Sequence, residues 1–408
     1  ADSTTGTFTV ESAENRLGAR SRFSDERWRA GMDEVRIYRR GLGTAELGIS
    51  ILQSAIAAAF QLDAPFVVDF VFMCEHDAQK REFARSLLPA PRHVINSAGE
   101  MGSCEGDVDL LVAGFSCKDF SSLQQGRQGF EARGTTHVSY QGCLSYIRSR
   151  RPYWVIFENV VLGRRPLARI MSDMAKLRYS GASKTMDAWQ FGLPQRRRRT
   201  YLVFQRSLAN PQNAEAALDE AFAFRCRGPP SDALLALGET SLEQRSPVRR
   251  QWRKAKQEHR QWRRAHGVTV ADVRRTLQKH EALRSRRGLT CRERDLLASM
   301  YAAWCKRGVD PRSLGLVLQI DQGIGRLPSS AWWVPCVVPG GRYWSTRGEC
   351  LLPLRALLAA QGFGVEERRK FPALSPSRTC PRLLRDLNGN AFALNVFIAV
   401  LCGVLLHW

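Results

Sequence analysis

VDLLVAGFSCKDFSSL, residues 108–123, decides the fold. A run of apolar, largely aliphatic residues ends in Gly114 and delivers Cys117 into a loop rich in serine. That pattern reads as a buried central strand, with a thiol set at its carboxyl end. Working outward, short β-branched or aromatic runs alternate with helical stretches. Strands are predicted at residues 35–38, 67–73, 93–96, 109–113, 154–157 and 200–204, and helices at 45–60, 77–88, 139–150 and 167–177. Strand–helix alternation predicts an α/β fold with a parallel, doubly wound sheet. Ligands then bind at the carboxyl ends of the strands.

Three other segments bring chemistry to that edge. RPYWVIFENV, residues 151–160, carries Glu158 to a strand end, where partial desolvation raises a carboxyl's pKa and lets it give up a proton near neutrality. FGLPQRRRRTYLVF, residues 191–204, runs four arginines into a strand. Alternation puts Gln195, Arg197 and Arg199 on one face and Arg196 and Arg198 on the other, and buried arginines need anionic partners. RRGLGTAE, residues 39–46, offers Gly41 and Gly43 for a tight strand-to-helix turn. Glu75, at the end of the next strand, is placed to accept hydrogen bonds from ribose hydroxyls or else to stand as a surface carboxylate.

The composition bounds the rest. The chain has 408 residues, 44% apolar and 25% charged, which excludes a wholly disordered, collagen-like or many-span membrane protein. Lys and Arg number 61 against 39 Asp and Glu, a net charge of +22 that points to a polyanionic partner, nucleic acid first. The excess is concentrated: residues 244–287 hold 15 basic and 3 acidic residues, with Trp252 and Trp262 among the arginines. Phosphate contact by Arg249, Arg250, Arg253 and Lys254, with Arg260 and Arg264 at helical spacing, is one reading; a solvated basic helix is the other. The 11 cysteines are odd in number and scattered, with no CxxC and no Cys/His ligand cluster, so no metal site is expected and free thiols in a reducing compartment are. The first residue is Ala1, as in a fragment or a processed form. Residues 1–33 read as a polar extension that is poorly ordered or packs weakly. The longest charge-free apolar run, residues 396–406, is too short for a bilayer span and reads as a buried terminal helix.

GFSC, FENV and QRRRR occur in this order, with 41 positions from Cys117 to Glu158 and 37 from Glu158 to Gln195. Together they resemble the DNA (cytosine-5) methyltransferase family, with its cysteine loop, Glu-Asn-Val strand end and Gln-x-Arg-x-Arg strand. LNGNAF at residues 387–392 is similar to the family's final Gly-Asn motif, and residues 341–363 to the segment before it. Ser116 stands where the family has proline, which predicts a looser loop, and Asn96 or Ser97 stands near the place of an adenine-holding aspartate.

The resemblance implies a Rossmann-like S-adenosylmethionine-dependent methyltransferase sheet, formed by residues 34–206 with 342–408, and a smaller inserted target-recognition region at residues 207–341. It implies a DNA cytosine-5 methyltransferase that acts through a covalent bond between Cys117 and cytosine C6. Glu158 would serve N3 and the exocyclic amine, and Arg197 the thiolate and O2. Gln195 and Arg199 would hold that strand, and Asn159 the nucleophile loop. S-adenosylmethionine would lie along Gly41, Gly43, Glu75 and Asn390. The implied partner is double-stranded DNA, with tRNA as the alternative, and nuclear residence follows from a DNA substrate. A non-catalytic nucleic-acid-binding protein on the same scaffold is the competing class. Target context and oligomeric state are not implied.

Overall fold

The structure is a computed structural model. It describes residues 34–39, 67–87, 91–117, 120, 130, 134–206, 212–228, 234, 249–285, 288–331, 333–364, 368–369, 371–375 and 377–408. The expected helix at 45–60, the extension at 1–33, Gly41 and Gly43 lie outside these residues.

Seven strands form the main sheet: β1 (Glu34–Arg39), β2 (Val67–Cys74), β3 (His93–Ile95), β4 (Leu110–Ala113), β5 (Trp154–Val160), β6 (Tyr179–Asp187) and β7 (Arg198–Arg206). Their order is β3-β2-β1-β4-β5-β7-β6. The chain reverses direction of travel across the sheet between β1 and β4, which is where such sheets open a binding crevice. The first five strands are parallel. The expected wholly parallel sheet is corrected at β7, which runs antiparallel to both β5 and β6. The physical reason is the β6–β7 connection, too short for a helical crossover and therefore a hairpin-like return. β6, YSGASKTMD, escapes the sequence reading because its small and polar residues are mostly half-buried and carry no apolar alternation.

Strict alternation then builds one core on each face. Leu110, Val112, Trp154, Ile156, Tyr201 and Val203 face one side. There they meet α4 (Asn213–Ala223) and the last helix, α10 (Leu394–Leu406). Leu111, Ala113, Val155, Phe157, Leu202 and Phe204 face the other. These pack on α2 (Thr135–Arg150) and α3 (Arg164–Lys176). α1 (Ala78–Leu87) follows β2. Because the central strands are covered on both faces, their sequences are continuous apolar runs. α10 is buried from Leu394 to Leu405, as the terminal apolar run predicts, and no single helix among the described residues is long and apolar enough to cross a membrane.

The basic stretch forms α5 (Arg249–Ala265), followed by α6 (Val270–Lys279) and α7 (Cys291–Lys306). Thr269 and Thr290 close capping boxes with Asp272 and Glu293, which fixes where α6 and α7 begin. α7 packs through Leu296, Leu297 and Tyr301 on a small antiparallel sheet of β8 (Val317–Gln319), β9 (Ser329–Ser330), β10 (Tyr343–Ser345) and β11 (Cys350–Leu351). β10 and β11 follow residue 341 yet belong to this second sheet. α8 (Leu354–Ala360) and α9 (Pro381–Asn390) lead back to α10.

α10 crosses α4 at Gly403, where an added Cβ would stand 2.0 Å from the Ala217 carbonyl oxygen. A backbone atom cannot move aside as a side chain can. Gly403→Ala is therefore expected to cost about 2 kcal/mol, more than its gain in helix propensity of about 1 kcal/mol, and to lower the urea midpoint. An unchanged midpoint would mean that α10 does not sit against α4.

Candidate active site

The antiparallel turn of β7 is what assembles the site. Across the β5–β7 pair, Glu158 faces Tyr201, Asn159 faces Thr200 and Val160 faces Arg199. The beginning of β7, with its arginines, thus lies at the rim where β4 and β5 end.

Cys117 follows β4 by way of Gly114, Phe115 and Ser116. Asn159 donates from Nδ2 to the Phe115 carbonyl at 3.0 Å, while its Oδ1 accepts from the Val160 amide at 2.9 Å. The strand that carries Glu158 therefore also holds the cysteine loop. The Ser116 amide, which a proline would lack, donates to Ser139 Oγ at 3.1 Å, and Ser116 Oγ lies 3.3 Å from Thr135 Oγ1. Phe115 packs against Tyr140 and Phe157. α2 thus anchors Ser116 by hydrogen bonds, while most of the loop after Cys117, on which the expected looseness bears, lies outside the described residues.

Glu158 is 8% exposed, and its Oε1 lies 3.1 Å from Arg199 Nε. Burial pushes its carboxyl above the usual carboxylate value, against the pull of Arg199 and Arg197. The Cys117 thiol is also pushed up, first by burial and then by the Glu158 charge, while the two arginines draw it down. Burial opposes the charge on Arg199, but Cys336, Glu158 and Cys117 outweigh it and hold the guanidinium protonated.

The arginines divide as alternation predicts. Arg197 is buried and Arg199 nearly so, while Arg196 and Arg198 are exposed. Arg197 does not reach Glu158 directly. It donates to Val337 O at 2.8 Å and Ala391 O at 2.8 Å, with longer bonds to Gly389 O at 3.3 Å and Cys336 Sγ at 3.5 Å. Arg199 makes the direct contact to the acid. Gln195 is fully buried, donates to Ala360 O and Gln361 Oε1, and accepts from the Val337 amide at 2.7 Å. It ties the rim to the segment before β10. Outward, the Arg196 guanidinium lies over Trp333, which meets Trp189 edge-on.

Glu75 ends β2 where a ribose acceptor is expected. Its Oε1 accepts from the Asp77 amide at 3.0 Å, and Arg81 braces the carbonyls of residues 75 and 76. Asn390 is exposed and its side chain bonds back to Asp386 O at 2.8 Å. Beside it, Phe392 fills the space over Gly114, where an added Cβ would come within 2.8 Å of the ring. No group of three or more His, Cys, Asp or Glu that could hold a metal ion occurs among the described residues. On α5, Ala255 and His259 face inward while Arg253, Lys254, Lys256, Arg260 and Arg264 are exposed. The side chains of Arg249, Arg250 and Trp252 lie outside the described residues. Trp262 packs into the helical core and stacks on His266 at 4.0 Å.

Cys336 and Tyr201 are the site residues that sequence reasoning missed. The Tyr201 hydroxyl is buried with no hydrogen-bond partner, close to the Glu158 charge. Its place opposite Glu158 could have been found only from an antiparallel β5–β7 register.

Residues 91–281 match the C-5 cytosine-specific DNA methylase family. The chain is 24% identical over 400 residues to the DNA (cytosine-5-)-methyltransferase DMT5 of Cryptococcus neoformans var. grubii, covering 88% of this chain and 16% of that protein. It is 34% identical over 113 residues to the type II methyltransferase M.HhaI of Haemophilus parahaemolyticus, covering 26% of this chain and 33% of that one. The fold is similar to the S. pombe Dnmt2 methyltransferase, with a TM-score of 0.50 and 12% identity over 91% of this chain and 98% of that one. These similarities support the C-5 cytosine-specific DNA methylase family for residues 91–281, a little under half of the chain. It spans less than a fifth of the length of its fungal relative. Members of the family use S-adenosylmethionine as methyl donor. Glu75 fits that group in chemistry, since it supplies an acceptor carboxylate directly after β2, bonded through Oε1 to the Asp77 amide and to His76 Nδ1, both at 3.0 Å.

Replacing Glu158 with Gln removes the negative neighbour of Cys117. The thiol should then ionise at lower pH. Alkylation of Cys117 by iodoacetamide, followed by peptide mass spectrometry across a pH series, reads this directly. An unshifted midpoint would show that the two acids are not coupled.

Proposed function

We propose that the chain is the catalytic part of a DNA cytosine-5 methyltransferase. The single observation that carries this is the cluster of Cys117, Glu158 and Arg199 at one sheet rim, with the acid–guanidinium contact at 3.1 Å. Cytosine C5 is a poor nucleophile, and covalent addition at C6 overcomes this. The Cys117 sulfur forms a bond to C6, which places an electron pair on C5. Glu158, whose carboxyl burial pushes above its usual value against the pull of both arginines, donates a proton at N3 and accepts from the exocyclic amine. Arg199 orients that carboxyl, and Arg197 and Arg199 together favour the thiolate. S-adenosylmethionine, when bound, supplies the electrophilic methyl group that C5 takes, and Glu75 is the residue to hold its ribose. Loss of the C5 proton to a base and return of the N3 proton to Glu158 then let the C6–S bond break with its electron pair on sulfur, which frees the Cys117 thiolate and restores the aromatic ring. Gln195 and Asn159 position the strand and the loop.

A base inside a duplex must be flipped out to reach the rim. Residues 207–341, joined by β10 and β11 of the same small sheet, would grip the duplex. The outward cations of α5 suit phosphates and carry no sequence information. Duplex DNA is preferred over tRNA because it is the substrate class in the family description and in the name of the fungal relative. In a nucleated cell, such as that of the fungal relative, nuclear residence would follow from a DNA substrate.

Transfer of labelled methyl groups from S-adenosylmethionine to duplex DNA and to tRNA, side by side, tests the reading. Label should enter duplex DNA; label confined to tRNA would replace the substrate. Cys117→Ala should lower transfer at least about 10³-fold, as loss of a covalent nucleophile does, with DNA binding kept. Undiminished transfer would remove the mechanism.

Neutralising Arg249, Arg250, Arg253 and Lys254 together should weaken DNA binding and flatten its dependence on salt. The slope of log K against log salt should fall by up to about 3–4, roughly 0.9 per lost phosphate contact. An unaltered slope would place α5 off the DNA.

A further inference from the structure

Cys336 reaches the rim from outside the main sheet. It lies between β9 and β10, on the segment that Gln195 holds through the Val337 amide. Its Sγ is 3.5 Å from Arg197 Nη1 and 3.6 Å from Arg199 Nη2, and its carbonyl accepts from the Tyr343 hydroxyl at 2.8 Å. The two guanidiniums that serve Glu158 and Cys117 therefore also serve a third acid.

We propose that Cys336 is a positioning residue for the nucleophile: its sulfur shares the guanidiniums of Arg197 and Arg199 with Glu158 and Cys117, and so sets how strongly those cations act on the reacting pair. The proposal rests on the methyl-transfer reading above and deepens it.

The charge balance supports it. Two cations, Arg197 and Arg199, stand against three acids, Cys117, Glu158 and Cys336. Among the described residues, Tyr343 on β10 and Tyr201 on β7 also face this cluster, and burial keeps both phenols protonated. Burial alone would raise the Cys336 thiol, but Arg199 and then Arg197 overcome it and leave the thiol below its ordinary value. Cys117, near the same cations, stays above. Once ionised, the sulfur at 336, which lies 3.5 Å from Arg197 Nη1 and 3.6 Å from Arg199 Nη2, offsets part of the positive charge that would otherwise act on Cys117 and Glu158. Taking it away leaves both cations to the remaining acids, which makes Cys117 and Glu158 each more acidic. A purely structural role predicts no such change, because a cavity at 336 alters packing and not the sign of a charge.

The test uses the full chain as wild type, Cys336→Ser and Cys336→Ala. Serine keeps the size and the hydrogen bond and loses the charge, so it separates electrostatics from packing, and urea midpoints confirm that each variant is folded. Iodoacetamide labelling over a pH series, resolved by peptide mass spectrometry, reads each thiol. In the wild type, Cys336 should label with a lower midpoint than Cys117. In both variants the Cys117 midpoint should fall by about one pH unit. The alkaline limb of kcat/KM for methyl transfer should move the same way, because a more acidic Glu158 loses its proton sooner. An unshifted Cys117 midpoint in folded Cys336→Ser would overturn the proposal, whether or not methyl transfer is seen. A shifted midpoint in a protein that transfers no methyl group would support the coupling and defeat the substrate reading instead.

Discussion

A buried carboxyl and a nearly buried guanidinium, Glu158 and Arg199 at 3.1 Å, hold this site together. Taking either charge out of water alone costs several kcal/mol, so each is tolerable only beside the other. Their meeting depends on one topological fact. β5 ends at the rim and β7 begins there, because β7 runs antiparallel. In a wholly parallel sheet the arginines would open β7 at the opposite edge, the length of a strand away from Cys117.

The same pair explains why the neighbours are arranged as they are. Asn159 follows Glu158 and holds the Phe115 carbonyl, so the acid and the cysteine loop move as one unit. Arg197, two residues before Arg199, points to the same side and spends its donors on Val337, Ala391 and Gly389. Those carbonyls belong to the segment leading to β10 and to the end of α9. The rim, the segment before β10 and the end of α9 are thus joined at one guanidinium.

Much of this was legible in the sequence because burial on both faces leaves a simple signature. The runs LLVA and WVIFENV read as central strands, and a Cys or Glu at their ends reads as rim chemistry. Alternation along QRRRR separated Gln195, Arg197 and Arg199 from Arg196 and Arg198. What was not legible has physical causes. β6 lacks a period-two apolar pattern, since its residues are mostly half-buried, and without β6 the reversal of β7 cannot be deduced. Cys336 sits in WVPCVVPGG, whose composition says only loop, and its role arises from contacts to β7 that are distant in sequence. Arg197 keeps the face that alternation gives it, and the carbonyls it bonds come from segments that no local pattern relates.

The central claim is that the sulfur of Cys117 reaches a pyrimidine ring held by this rim. Duplex DNA containing 5-fluorocytosine tests it most directly, because fluorine at C5 cannot leave as a proton and the C6–S bond then persists. With S-adenosylmethionine present, the account predicts a denaturant-stable protein–DNA complex whose digested peptide carries the nucleotide on Cys117. A bound but wholly non-covalent complex, or an adduct on Cys336, would contradict it.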